Sequence, residues 1–89
     1  MGKIVIAYKI FPSESTINLG SLKEKITKQL SGSASIQGFA EEPIAFGLSA
    51  LIVKMVLPED KSGVLEEVEN RLNKIVGVGQ IQTLMVHRM

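Results

Sequence analysis

The sequence predicts an α+β sandwich in the order β-α-β-β-α-β. Three observations carry that reading: two long runs of period-two alternation, two runs with apolar residues at helical spacing, and an internal echo between the halves. In the echo, a strand closed by Phe11-Pro12 or Leu57-Pro58 is followed by a polar turn and then a helix. From Lys3 to Phe11 the residues are β-branched and aromatic, with Ile4, Ile6, Tyr8 and Ile10 on one face, and Pro12 ends the run. Asn18 is placed to cap a helix in which Leu19, Leu22, Ile26 and Leu30 recur, until Ser31-Gly32 stops it. Glu24 and Lys28 are spaced as an i,i+4 pair on its wet face. Ser35 to Ala40 reads as a short edge strand before Glu41-Glu42-Pro43.

Phe46 to Leu57 alternates as a second long strand with Leu51, Val53, Met55 and Leu57 inward, and Pro58 ends it. Ser62 starts a second helix with Val64, Leu65, Val68, Leu72 and Ile75 as its apolar stripe, and Gly77 is placed as a left-handed C-terminal cap. Val78 to Arg88 reads as a final strand whose imperfect alternation predicts a bulge at Gly79 or near Leu84. These elements describe a ferredoxin-like βαββαβ sandwich, a four-stranded antiparallel sheet with two helices on one face. The one expected exception is the central pair, first and third strands side by side and parallel, with the second and fourth antiparallel on the edges. On that topology Arg88 and Phe46 meet at one rim, about two strand spacings or roughly 10 Å apart. Val5, Ala7, Ala50 and Ile52 leave the uncovered face of the sheet partly apolar.

Length and composition narrow the function classes. The chain has 89 residues, 45% of them hydrophobic, with ten basic and nine acidic residues and no cysteine. A single domain of residues 1–89 must spend most of its apolar side chains on one core, which places function on the outer surface. Zero cysteines and one histidine, His87, exclude a four-ligand zinc site, a disulfide framework and a thiol nucleophile, so no metal or cofactor is expected. A net charge of +1 sets up no field for nucleic-acid or membrane binding. The apolar window from Ile44 to Val53 is well short of the about 18 residues that span a bilayer, and Lys3 and Lys9 argue against a signal peptide, so the expected location is the cytoplasm.

Catalysis finds little support. Asp60 lies in the turn before the second helix, His87 has no motif partner, and Glu41 and Glu42 point to opposite faces of an extended segment. Gly77-Val78-Gly79 follows a helix, whereas a dinucleotide fingerprint follows a strand. Lys23, Lys25 and Lys28 resemble a basic patch, but Glu24 interrupts them and a solvated face accounts for the run. Ala45-Phe46-Gly47-Leu48 lacks the second stacking aromatic of an RNA-reading strand, and aromatics total 4%. An acylphosphatase-like hydrolase needs an arginine in the first loop, and Pro12 to Asn18 has none. The remaining reading from residues alone is a small regulatory or oligomerising ligand-binding module of the same fold.

The segment Glu41-Glu42-Pro43-Ile44-Ala45-Phe46-Gly47-Leu48, with the alternating strand to Leu57, resembles a signature of the translation elongation factor 1-beta family. The Lys9-Ile10-Phe11-Pro12 strand exit and the Gly77-Val78 start of a final strand support it. The resemblance implies a ferredoxin-like fold and a guanine-nucleotide exchange factor, not an enzyme, that promotes replacement of GDP by GTP on elongation factor 1-alpha. The expected working form is a monomer without cofactor, nucleic acid or membrane as partner. In the eukaryotic relatives a penultimate lysine lies near the magnesium and phosphates of the GTPase, and a phenylalanine at the start of the third strand packs on that GTPase. Those positions match Arg88 and Phe46, and with Pro43, Gly47 and His87 they form the implied partner-binding set. Arginine in place of lysine is a planar fork instead of a point charge, and the carboxylate of Met89 lies beside it. Glu41 and Glu42 are further candidates for pairing with basic residues of the partner.

Overall fold

The computed structural model describes residues 2–14, 17–32, 34–58 and 63–88, and of Phe46 the backbone alone. Asp60, Ser62 and Met89, each named above, lie outside the described residues. The elements run β1 (Lys3–Pro12), α1 (Leu19–Leu30), β2 (Ser35–Pro43), β3 (Ser49–Pro58), α2 (Val64–Asn73) and β4 (Val78–Arg88), with a short 3-10 turn at Ala45–Gly47. The strands form one sheet in the order β2-β3-β1-β4. This is the expected ferredoxin-like βαββαβ arrangement.

Alternation builds the core. Ile4, Ile6, Tyr8 and Ile10 of β1 and Leu51, Val53, Met55 and Leu57 of β3 are buried and cluster with Leu22, Ile26 and Leu30 of α1 and Val64, Val68 and Leu72 of α2. Both helices therefore cover the same face of the sheet. The Asn18 side chain accepts a hydrogen bond from the Ser21 N–H at 3.1 Å, satisfying one of the unpaired donors at the start of α1. On the opposite face Ala50 is fully buried and Ala7 is 9% exposed, so the apolar stretch expected there is partly covered.

Several expectations need correction. The central strands are antiparallel: Ile4 lies opposite Leu57 and Ile10 opposite Leu51. The right-handed crossover rule makes β1 and β2 parallel, and β3, joined to β2 by a tight connection, slots between them running the other way. β2 continues to Pro43 because Glu41, Glu42 and Pro43 pair with Leu51, Ala50 and Ser49 of β3. β3 begins at Ser49, since Ala45 to Gly47 turn as a 3-10 segment. α2 ends at Asn73 with Lys74 as its C-cap, whose N–H reaches the Asn70 and Leu72 carbonyls. Gly77, at φ +107°, serves instead the turn into β4, next to the Val78 N–H bond to the Ile75 carbonyl at 3.2 Å. The Glu24–Lys28 ion pair does not form, whereas Glu67 and Arg71 make the i,i+4 pair of the helix layer at 3.0 Å. A bulge was expected at Gly79 or near Leu84, and β4 has an irregularity at each. The β1–β4 register skips Leu84 between Ala7 and Tyr8, and Gly79 between Phe11 and Pro12.

One polar group penetrates the core. The Tyr8 hydroxyl donates to Oε2 of Glu69 on α2 at 3.2 Å, while the ring is fully buried. Burial, followed by the Glu69 charge and hydrogen bond, pushes the phenol well above its usual value near 10. A phenol raised in the folded state keeps its proton longer there than in the unfolded chain. Its contribution is therefore complete below about pH 10 and is lost above it, at about 1.4 kcal/mol per pH unit. Tyr8→Phe is expected to cost about 1 kcal/mol at neutral pH and to flatten the alkaline fall in stability. Urea unfolding at several pH values from neutral to alkaline checks both.

Candidate functional site

The sequence-predicted residues lie at two corners of the sheet. The first corner is the β2–β3 connection. Pro43 pairs with Ser49, the Ile44 N–H donates to the Leu48 carbonyl at 2.8 Å, and the Leu48 N–H donates to the Ala45 carbonyl at 3.2 Å. These bonds fold Ala45-Phe46-Gly47 into one tight turn. Gly47 sits at φ +75°, a left-handed conformation in which a side chain is strained even with open space around it. Pro43, Ala45 and Gly47 are exposed, so the turn presents its backbone outward.

Three side chains, whose mutual contact sequence reasoning missed, buttress this corner. Lys9 Nζ contacts Glu42 Oε2 at 2.9 Å and stands 5.4 Å from the centre of the Phe11 ring. The Lys9 side chain is only 16% exposed, so this ion pair is less screened than an ordinary surface one. The signal in the sequence was that Lys9 and Phe11 are two apart on a strand and share a face. Glu41, by contrast, reaches Lys23 of α1 at 3.4 Å. Glu41 and Glu42 point to opposite faces as expected, but both are engaged within the chain.

The same end of the sheet is held by a close backbone approach. Ser13 N–H donates to the Gly77 carbonyl at 2.8 Å, and a Cβ on Gly79 would lie 2.9 Å from Ser13 Cα and 3.1 Å from the Pro12 carbonyl oxygen. Backbone cannot yield as a flexible side chain would. Gly79→Ala is expected to cost about 1 to 3 kcal/mol, read as a lower midpoint in thermal unfolding.

The second corner is the end of β4, an edge strand. His87 pairs with Val5 and Arg88 with Ile4, beside the start of β1 and the end of β3. Leu84, Met85 and Val86 lead into it and are 46%, 41% and 46% exposed. Sequence reasoning placed them in a strand but did not single them out. The bulge at Leu84 and the unpaired outer side of β4 leave them uncovered.

The expected meeting of Phe46 and Arg88 is therefore wrong. Arg88 shares a row with Ile4, the β2–β3 turn lies beyond the row of Ile10 and Leu51, and six strand residues separate those rows by about 20 Å. β4 also lies across β1 from β3. The two corners are diagonally opposed on a molecule 43 Å long.

Residues 5–89 match the family described as the EF-1 guanine nucleotide exchange domain. The match spans the turn and the end of β4 alike. The chain belongs to this exchange family. Relatives named elongation factor 1-beta include that of Staphylothermus marinus, 40% identical over all of this chain and 99% of its own. That of Methanosarcina barkeri is 39% identical over the whole of both chains, and that of Hyperthermus butylicus is 35% identical over all of this chain and 97% of its own. Among solved structures, the C-terminal domain of the MgtC protein from Mycobacterium tuberculosis superposes with a TM-score of 0.64 at 13% identity, covering 92% of this chain and 85% of that one. At that identity the likeness concerns the fold alone. The exchange domain functions in guanine nucleotide exchange during translation elongation.

Proposed function

We propose that this exchange domain acts on elongation factor 1-alpha through both corners at once, with Pro43, Phe46 and Gly47 forming one contact and His87 and Arg88 the other. The observation that carries the reading is the family match over residues 5–89, which includes both corners in one unit. A GTPase holds GDP through backbone N–H groups around the phosphates together with Mg²⁺. A cation brought to that cradle competes for the phosphates, and Arg88 supplies one on an exposed strand end. An aromatic anchor on a turn of fixed shape supplies binding energy some distance away, and Phe46 supplies that. The diagonal separation requires a broad partner surface, with Phe46 and Arg88 gripping different parts of it.

The domain makes and breaks no bond. Releasing GDP a thousandfold faster needs about 4 kcal/mol of stabilisation of the opened GTPase over the closed one, within reach of a few buried contacts around an aromatic anchor. The working form is a cytoplasmic monomer that needs no cofactor, metal, nucleic acid or membrane of its own. A formal net charge of +1 sets up no field for nucleic acid or a membrane surface.

Linkage supplies the test. If the domain weakens GDP binding by some factor, GDP weakens binding of the domain by the same factor. Calorimetric titration into nucleotide-free and into GDP-loaded elongation factor 1-alpha is expected to show much tighter binding to the empty form. Equal affinity for the two forms overturns the proposal.

A further inference from the structure

A second surface, lined by neither Phe46 nor Arg88, lies on the helix layer. An open groove of about 440 Å³ runs between α1 and the end of α2, lined by Lys25, Lys28, Gln29, Lys74, Ile75 and Val76. The linear run Lys23, Lys25, Lys28 is split by the fold. Lys23 turns to Glu41 of β2, while Lys25 and Lys28 join Lys74 from the other helix. Lys28 and Lys74 are in no ion pair among the described residues, and Lys25 Nζ donates to the Val76 carbonyl at 3.4 Å.

Apolar surface is exposed beside the lysines. Val76 is 78% exposed, the most exposed large hydrophobic side chain among the described residues, and Ile75 beside it is nearly buried. Arg71 links the helices alongside, donating to the Gln29 carbonyl at 3.0 Å and to Glu67 at 3.0 Å, so its charge is already met. Among the described residues no acidic one lines this groove, and Glu66 and Glu67 line the neighbouring one that shares Gln29 and Lys74. The nearest in sequence to Lys28 is Glu24, one helical turn away, and it makes no ion pair with it.

We infer that this groove binds an acidic peptide segment carrying one apolar anchor side chain. The ammonium groups of Lys28 and Lys74, with Lys25 beside the exposed Val76, suit carboxylates flanking a leucine-sized side chain. Bare phosphate would leave the exposed Val76 without a partner, and a purely apolar segment would leave Lys28 and Lys74 without a counter-charge. The groove is separate from Phe46 and Arg88, so the inference stands apart from the proposed exchange contacts.

The probe is a blocked heptapeptide with one leucine among six aspartates, titrated into isotope-labelled protein and followed by amide chemical shifts. Shift changes are expected at Lys25, Lys28 and Lys74 to Gly77, with affinity falling steeply as salt rises from about 50 to about 200 mM. Replacing the peptide's leucine with serine, or Val76→Ser in the protein, is expected to weaken binding about tenfold. Lys28→Glu with Lys74→Glu is expected to abolish it, leaving the fold and nucleotide release intact, since both positions are solvent-facing. Shifts scattered over Lys3, Lys9 and Lys54 overturn the inference. So does equal binding of the serine peptide or of inorganic polyphosphate, which marks a general anion surface.

Discussion

Arg88→Ala is expected to reduce the stimulation of GDP release from elongation factor 1-alpha by about 10- to 100-fold, with at most about 1 kcal/mol of stability lost from a surface contact. Losing a hydrogen-bonded contact to a charged group costs about 1.5 to 3 kcal/mol. Arg88 is exposed at the end of an edge strand, so its loss removes nothing from the core. Arg88→Lys is expected to keep most of the stimulation, because an ammonium offers the phosphates the same charge as a point instead of a fork. Phe46→Ala is expected to lose stimulation independently. The corners are about 20 Å or more apart along the strands, and sites farther apart than about 10 Å with no shared partners usually combine additively. Stopped-flow release of a fluorescent GDP, with the two single variants and the double variant, gives the coupling. A coupling above about 0.5 kcal/mol argues that both residues act on one spot of the GTPase.

Leu72→Ala is expected to destabilise the domain by about 3 kcal/mol and to lower its midpoint of unfolding by roughly 15 °C. Leu72 is fully buried in the cluster that joins α2 to the sheet, and the two layers hold it from both sides. Its removal leaves a cavity that the rigid sheet cannot close. Exchange activity measured well below the new midpoint is expected to persist, since neither corner contains Leu72. A loss below about 1 kcal/mol by denaturant unfolding contradicts the tight packing between helices and sheet.

The elements were legible in the sequence because burial on one face imposes a strict period, as with Ile4, Ile6, Tyr8 and Ile10 or Leu22, Ile26 and Leu30. The irregularity of β4 was legible too, as a break in that period. Strand direction was misread because the crossover rule governs β1 and β2, while the direction of β3 is set by its connection to β2. That error moved Phe46 and Arg88 to one rim, although both residues were already marked by the resemblance. β2 was read too short because Glu41 and Glu42 look like loop residues, and only pairing with Leu51 and Ala50 makes them strand. The Lys9–Glu42 buttress and the groove around Val76 depend on contacts between elements. Local periodicity carries no information about those.

The most direct test is release of fluorescent GDP from the cognate elongation factor 1-alpha, with and without the wild-type domain, at excess unlabelled nucleotide. Release accelerated on the order of a thousandfold at saturating domain is the predicted result. An unchanged release rate in the presence of the folded domain contradicts the account.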